Sequence, residues 1–200
     1  MHLSATAILI AARPHGETAS IARLFTRENG VVAAYVAGGR GRVLRPVLIP
    51  GNVVAAEIRS KSDTQLPFAR VELVDSRGPW LTEPLAAAAI GWVCALSATT
   101  LPERQAYPAL HDALAGTLAA ICHAGAAREW VRGLIAYEKL LLRELGFGGG
   151  PPPAQADLGA LLEIFAAQGP VLERYLLAER GRDVMAARAR LGAALQRMMA

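Results

Sequence analysis

The apolar residues of this chain change their period once, at Ser76-Arg77-Gly78-Pro79. Before that punctuation they recur at every second position in short runs. From Trp80 onward they recur about every 3.6 positions, the helical spacing. A period of two demands strands with one buried face, and the longer period demands helices with one buried stripe. The two cannot share an element, so the chain is expected to be α+β, with a β domain over residues 1–79 and an all-helical domain over 80–200. At 200 residues and 53% hydrophobic, it has enough material to bury a core in each.

Five strands fit the first part. Leu3 to Ala12 is the first, Thr18 to Thr26 the second and Val31 to Val36 the third. Asn29-Gly30 between the last two is a strong hairpin signal. Two prolines keep Val43 to Pro50 off a central ladder and make it a crossing loop. Asn52 to Ser60 is the fourth strand, Lys61-Ser62-Asp63 turns the chain, and Leu66 to Val74 is the fifth, with Ala69, Val71 and Leu73 on its buried face. This count and spacing suit a five-stranded OB-type barrel. An SH3-like barrel has a similar count, and pattern alone does not separate the two.

In the second part, Thr82 is placed to cap a helix running to about Ala98, with Pro84 in its first turn. Pro84 to Leu101 is uncharged and near membrane-spanning length, but it is mostly small residues, so a buried helix is expected. Further helices are expected over Gln105–His123, with Leu110, Leu114, Leu118 and Ile121 as its stripe, and over Ala126–Leu145, stopped by Gly146. Gly148 to Pro153 reads as a linker. Helices over 157–168, 169–179 and 183–199 follow, the last carrying Arg182, Arg188, Arg190 and Arg197 as a solvated face.

Charge is unevenly placed. Residues 1–79 hold ten basic and six acidic side chains, whereas residues 80–200 hold eleven of each. The whole excess therefore sits in the β domain, where a polyanion would find it. Gly38-Gly39-Arg40-Gly41-Arg42 lacks the Lys-Ser/Thr of a phosphate-binding P-loop, and no nucleophile–base or metal-ligand spacing appears elsewhere. Cys94 and Cys122 read as reduced core residues. No enzyme, cofactor or metal is expected, and neither is a signal peptide or membrane span; the chain reads as cytoplasmic. The candidates for contact with a nucleic-acid phosphate backbone are Arg40, Arg42 and Arg45 on one loop, Arg27 at the neighbouring hairpin, and Arg13. Four or five phosphate contacts on a single strand would cost roughly a hundredfold in affinity between about 50 and 200 mM salt. Phe25, Tyr35 and Phe68 are the aromatics able to stack on bases. Each reads first as barrel core, so the expected binding is backbone-directed and without sequence preference.

Ala7-Ile8-Leu9, Arg13 and Gly16-Glu17-Thr18, followed by Leu24-Phe25-Thr26-Arg27-Glu28, Gly30 and Val36-Ala37-Gly38-Gly39-Arg40, form an ordered set of motifs. In these the chain resembles the RecO family of bacterial repair and recombination-mediator proteins. A second match is Tyr137-Glu138, Leu141-Leu142 and Gly146; a looser third runs from Leu172-Glu173-Arg174 to Ala187-Arg188. The resemblance implies an OB fold, a helical domain and binding of single- and double-stranded DNA. It also implies annealing of complementary strands and, with RecR, loading of the RecA recombinase on DNA coated by single-strand-binding protein. Arg40 lies on the matching motif; Arg42 and Arg45 are assigned by proximity. The resemblance further implies that the helical part binds the tail of single-strand-binding protein, for which Arg128 and Arg132 beside Trp130 are the candidate rim.

Many members carry a four-cysteine zinc site after the second motif, where this chain has GFGGGPPPAQAD and no cysteine beyond Cys122. A metal is therefore not carried over. Two other readings stay open: a protein-interaction adaptor with incidental DNA affinity, and an RNA-binding OB protein.

Overall fold

The computed structural model describes residues 2–60, 62, 65–148, 150, 155–178 and 182–199, with only the backbone of 182 and 199. Lys61 and Asp63 of the expected turn, the side chain of Arg182, and the expected linker apart from Gly148 and Gly150 lie outside the described residues. The chain forms two compact units: residues 1–82 with 101–111, and residues 83–100 with 112–200.

The first unit is a closed barrel of five strands, β1 (His2–His15), β2 (Ala19–Thr26), β3 (Gly30–Val36), β4 (Val53–Arg59) and β5 (Phe68–Asp75), in the order β1-β2-β3-β5-β4. That order is the OB arrangement. β1 is long because it serves two neighbours, pairing β4 through His2–Ile8 and β2 through Ala7–His15. Between Leu9 and Ala11 its register slips by one residue. A bulge exchanges the faces of everything beyond it. Ala7 and Leu9 point into the barrel, whereas Ala11, Arg13 and His15 point out.

The interior is filled by Ala7, Leu9, Ala22, Leu24, Val32, Ala34, Val36, Val54, Ala56, Ile58, Ala69 and Val71, many of them small enough for a narrow barrel. Leu73, expected on the same face as Val71, is instead 43% exposed near the end of β5, where pairing with β4 slips. The loop from Ala37 to Asn52 returns across the barrel and packs Leu44, Val47 and Leu48 on this core. Asn52 pins it: its amide donates to the carbonyls of Pro46 and Val47, both at 3.0 Å, and its carbonyl accepts from the Arg77 backbone N–H at 2.7 Å. With Asn52 wholly buried, these three bonds satisfy groups that would otherwise be costly.

The β2–β3 turn uses the glycine of Asn29-Gly30 and not the asparagine. Gly30 has φ +67°, Asn29 has no positive φ, and Thr26 pairs with Gly30 across a three-residue loop. The Thr26 hydroxyl donates to the Gly30 carbonyl and accepts from the Asn29 N–H.

Residues 101–111 lie along this unit instead of opening a helix at Gln105. Arg104 N–H donates to the Val31 carbonyl at 2.9 Å, Arg23 reaches Glu103 at 2.7 Å, and His111 meets Phe25 edge-on. The proline at 108 then starts the helix.

The second unit contains α1 (Pro84–Thr100), most of α2 (Pro108–His123), α3 (Ala127–Glu144), α4 (Leu158–Leu172) and α5 (Arg182–Met199); a π-helical turn, Glu173–Leu177, extends α4. α1 packs on α5 and α3 on α4. The hydroxyls of Ser97, Thr99 and Thr100 donate to carbonyls four residues back, so the uncharged run carries its polar groups internally. Thr82 does not cap α1: its hydroxyl donates to the Pro79 carbonyl in a 3-10 turn before the helix. Leu110, Leu114, Leu118 and Ile121 form the expected buried stripe of α2, and Gly146 (φ +91°) ends α3. No helix among the described residues is long and apolar enough to cross a membrane.

The last helix corrects one expectation. Arg190 and Arg197 face solvent, but Arg188 is buried, with 5% of its side chain exposed. It holds the fully buried Glu138 in a two-pronged pair, Nε to Oε1 at 3.1 Å and one terminal nitrogen to Oε2 at 2.8 Å. Trp92 Nε1 and Gln168 Nε2 donate to the same carboxylate, each at 2.7 Å. The guanidinium lies over the Phe165 ring at 3.7 Å and donates to the Phe165 carbonyl. Helical spacing alone made Arg188 look like its neighbours; Glu138 lies fifty residues away and is what draws it inward.

Candidate nucleic-acid interface

The hairpin geometry sorts the candidate arginines. β2 runs from Ala19 to Thr26, with the β1–β2 turn at one end and the β2–β3 turn at the other. The loop after β3 starts opposite Ser20, so it belongs to the first end. Arg40 ties the two loops there, its backbone N–H donating to the Thr18 carbonyl at 3.0 Å and its guanidinium to the Gly16 carbonyl at 2.8 Å. Arg42 and Arg45 follow on the same loop, in turns closed by Gly41 N–H to Gly38 and Arg45 N–H to Gly41. Arg13, turned outward by the β1 bulge, stands two residues from the same turn. All four are exposed, and among the described residues none of them forms an ion pair.

Arg27 does not join them. It sits in the opposite turn, about 25 Å away along β2 by the usual rise per strand residue, and it is paired with Glu28 at 2.7 Å. The sequence places Arg27 and Arg40 on neighbouring loops of one hairpin, but a hairpin's successive loops fall at opposite ends of its strands. The cluster is therefore four guanidinium groups and not five.

Gly39 makes the approach of the loop possible: a Cβ there would meet Ser20 Cβ at 2.8 Å and Leu48 at 2.9 Å. Behind the loop, a groove of about 600 Å³ runs between Gly38–Leu44 and Ala69–Glu72, with Arg42 and exposed Val43 on its rim.

The aromatics divide in a way the alternation pattern did not show. Phe25 is buried, but on the outer face of the barrel against His111 and not in the barrel interior, whereas Phe68 is 63% exposed and Tyr35 is half-buried. Their rings meet edge to face at 5.1 Å, and His15 meets Tyr35 at 5.9 Å. The signal for this was available: Phe68 shares a face with Arg70 and Glu72, which is the wet face of β5.

In the helical unit, Trp130 is buried at 6% exposure and so cannot form a solvent-facing rim. Arg132 donates to the Ala156 carbonyl at 3.0 Å, while Arg128 is exposed. The three expected neighbours thus have three different environments. Cys94 and Cys122 are free thiols, the first buried and the second half-buried. Among the described residues no group of three or more His, Cys, Asp or Glu side chains is placed to hold a metal.

Residues 1–77 match the family model described as Recombination protein O N terminal, and residues 81–148 match Recombination protein O C terminal. The looser likeness over 172–188 lies outside both ranges. The chain is 44% identical over 143 residues to the DNA repair protein RecO of Rhodospirillum centenum, covering 71% of this chain and 56% of that protein. It is 37% identical over 150 residues to that of Phenylobacterium zucineum, covering 74% and 60%, and 39% identical over 149 residues to that of Jannaschia sp., covering 74% and 59%. The matched part thus spans less than two thirds of each of these relatives. With both family models matched in order across most of its length, this chain belongs to the RecO family of DNA repair proteins.

Proposed function

We propose that this protein binds single- and double-stranded DNA through the cationic end of its barrel, anneals complementary strands and, with RecR, helps load recombinase during repair. It acts in the cytoplasm and without a catalytic step of its own. The helical unit receives the tail of single-strand-binding protein, with Arg128 as the available cation. The observation that carries the reading is the group of Arg13, Arg40, Arg42 and Arg45 at one barrel end, none of which forms an ion pair among the described residues.

Annealing of complementary oligonucleotides across a salt series, with and without single-strand-binding protein, tests it. Four phosphate contacts at about 0.7 each give a slope near 2.8, hence roughly a fiftyfold loss of single-strand affinity between about 50 and 200 mM salt. Neutralising Arg40, Arg42 and Arg45 together should cut that loss to about threefold and abolish annealing. Wild-type annealing by the triple variant overturns the reading in favour of a protein-interaction adaptor. Equal affinity for RNA and DNA of one length favours an RNA-binding protein.

A further inference from the structure

The pairing register lines up one row of side chains across the outside of the barrel. Arg13 pairs with Ile21, Ile21 with Tyr35, Tyr35 with Phe68, and Phe68 with Arg59. Directly paired residues point the same way, so the row reads Arg, Ile, Tyr, Phe, Arg on one surface. It exists because of the β1 bulge; without that slip Arg13 would face the core. Toward the opposite end of the same surface, Phe25 and Val31 are buried. The Tyr35–Phe68 half is left open.

We propose that this open half is a base-stacking platform, on which Phe68 and Tyr35 hold an unpaired base of single-stranded DNA. The proposal rests on the DNA-binding reading above and adds to it a source of preference for single strands. The Phe68 ring, at the start of β5, touches Tyr35 edge to face yet stays 63% exposed, and flat aromatic faces left open to solvent suit a nucleobase. The charges set the direction of the strand. On the β4–β5 side the charges are offset locally, Arg59 with Glu57 at 3.7 Å and Arg70 with Glu72 at 3.6 Å. Arg13 and Arg40, which form no ion pair among the described residues, stand at the β1–β2 turn beside His15. Phosphates therefore run along that turn, and bases lean inward over Tyr35 and Phe68. A duplex keeps its base faces covered, so it engages the cations and not the rings.

Fluorescence anisotropy on three oligonucleotides of equal length tests this: a single strand, a duplex, and a single strand with abasic sites. Phe68→Leu keeps the apolar bulk and removes the π face. It should weaken single-strand binding about tenfold, leaving duplex binding and the salt slope unchanged. Phe68→Trp should bind the single strand at least as tightly as wild type. The wild-type protein should bind the abasic strand with a similar tenfold loss, a measurement that needs no variant to fold. Unchanged affinity in Phe68→Leu, an equal loss on the duplex, or abasic binding as tight as intact binding overturns the platform while leaving the phosphate contacts standing. Failure of the wild-type protein to bind any of the three overturns the DNA-binding reading itself.

Discussion

Replacing Arg188 by Met should be among the most damaging single changes in the helical unit. The side chains are similar in length, so packing against Phe165 and Trp92 is largely kept. What is lost is the cation facing Glu138, a carboxylate with no exposure that accepts from Trp92, Gln168 and twice from Arg188. Two neutral donors remain, and they do not balance a full negative charge in the core. Breaking one side of a buried pair costs about 3–5 kcal/mol, because the remaining ion is left uncompensated. Removing both charges, with Glu138→Leu and Arg188→Met together, leaves only the Trp92 and Gln168 N–H groups without acceptors, at about 1–3 kcal/mol each. The double variant should therefore be less destabilised than the sum of the singles by at least about 2 kcal/mol. Urea unfolding followed by circular dichroism at the helical band reads all four proteins of the cycle. Additive singles, or a cost below about 1 kcal/mol for Arg188→Met, would refute the claim that the pair organises this core.

Three other outcomes follow from single positions. Tyr137 is buried, and desolvation pushes its phenol well above the ordinary value of about 10. The Ser97 proton goes to the Val93 carbonyl at 2.6 Å, so the Tyr137 hydroxyl is the donor in the 2.6 Å bond to Ser97. A raised folded-state pKa means full stability below about pH 10 and loss as pH climbs from the unfolded toward the folded value. Tyr137→Phe should cost about 1 kcal/mol at pH 7 and flatten this alkaline decline, as read from urea midpoints between about pH 7 and 11. Gly30→Ala should destabilise the barrel by about 2 kcal/mol or more, since φ is +67° and the new Cβ would overlap the Gln105 backbone carbonyl; thermal melts followed by circular dichroism would show it. Asn52→Ala strips partners from buried groups at Pro46, Val47 and Arg77. A loss of about 3 kcal/mol is expected, together with weaker DNA binding because the loop bearing Arg40, Arg42 and Arg45 is released. Hydrogen exchange of residues 40–48 that stays at the wild-type rate would contradict it.

Much of this molecule was settled by local sequence. The change of period at Ser76–Pro79 separates strands from helices because backbone geometry admits one side-chain period per element. The five strands, the hairpin at Gly30, the glycine stop at Gly146 and the buried stripe of α2 all follow from neighbours in the chain, as does the concentration of positive charge in the first part. The tertiary structure alone decided the rest, because it depends on groups far apart in sequence. The one-residue bulge in β1 chose which face Arg13 shows. Loop order along the hairpin separated Arg27 from Arg40, although only a dozen residues lie between them. Glu138 drew Arg188 out of a helix face that otherwise reads as solvated, and the packing of α3 withdrew Trp130 from the surface. A side chain's type and period say that it will have a partner; only the closed barrel and the packed helices say which one.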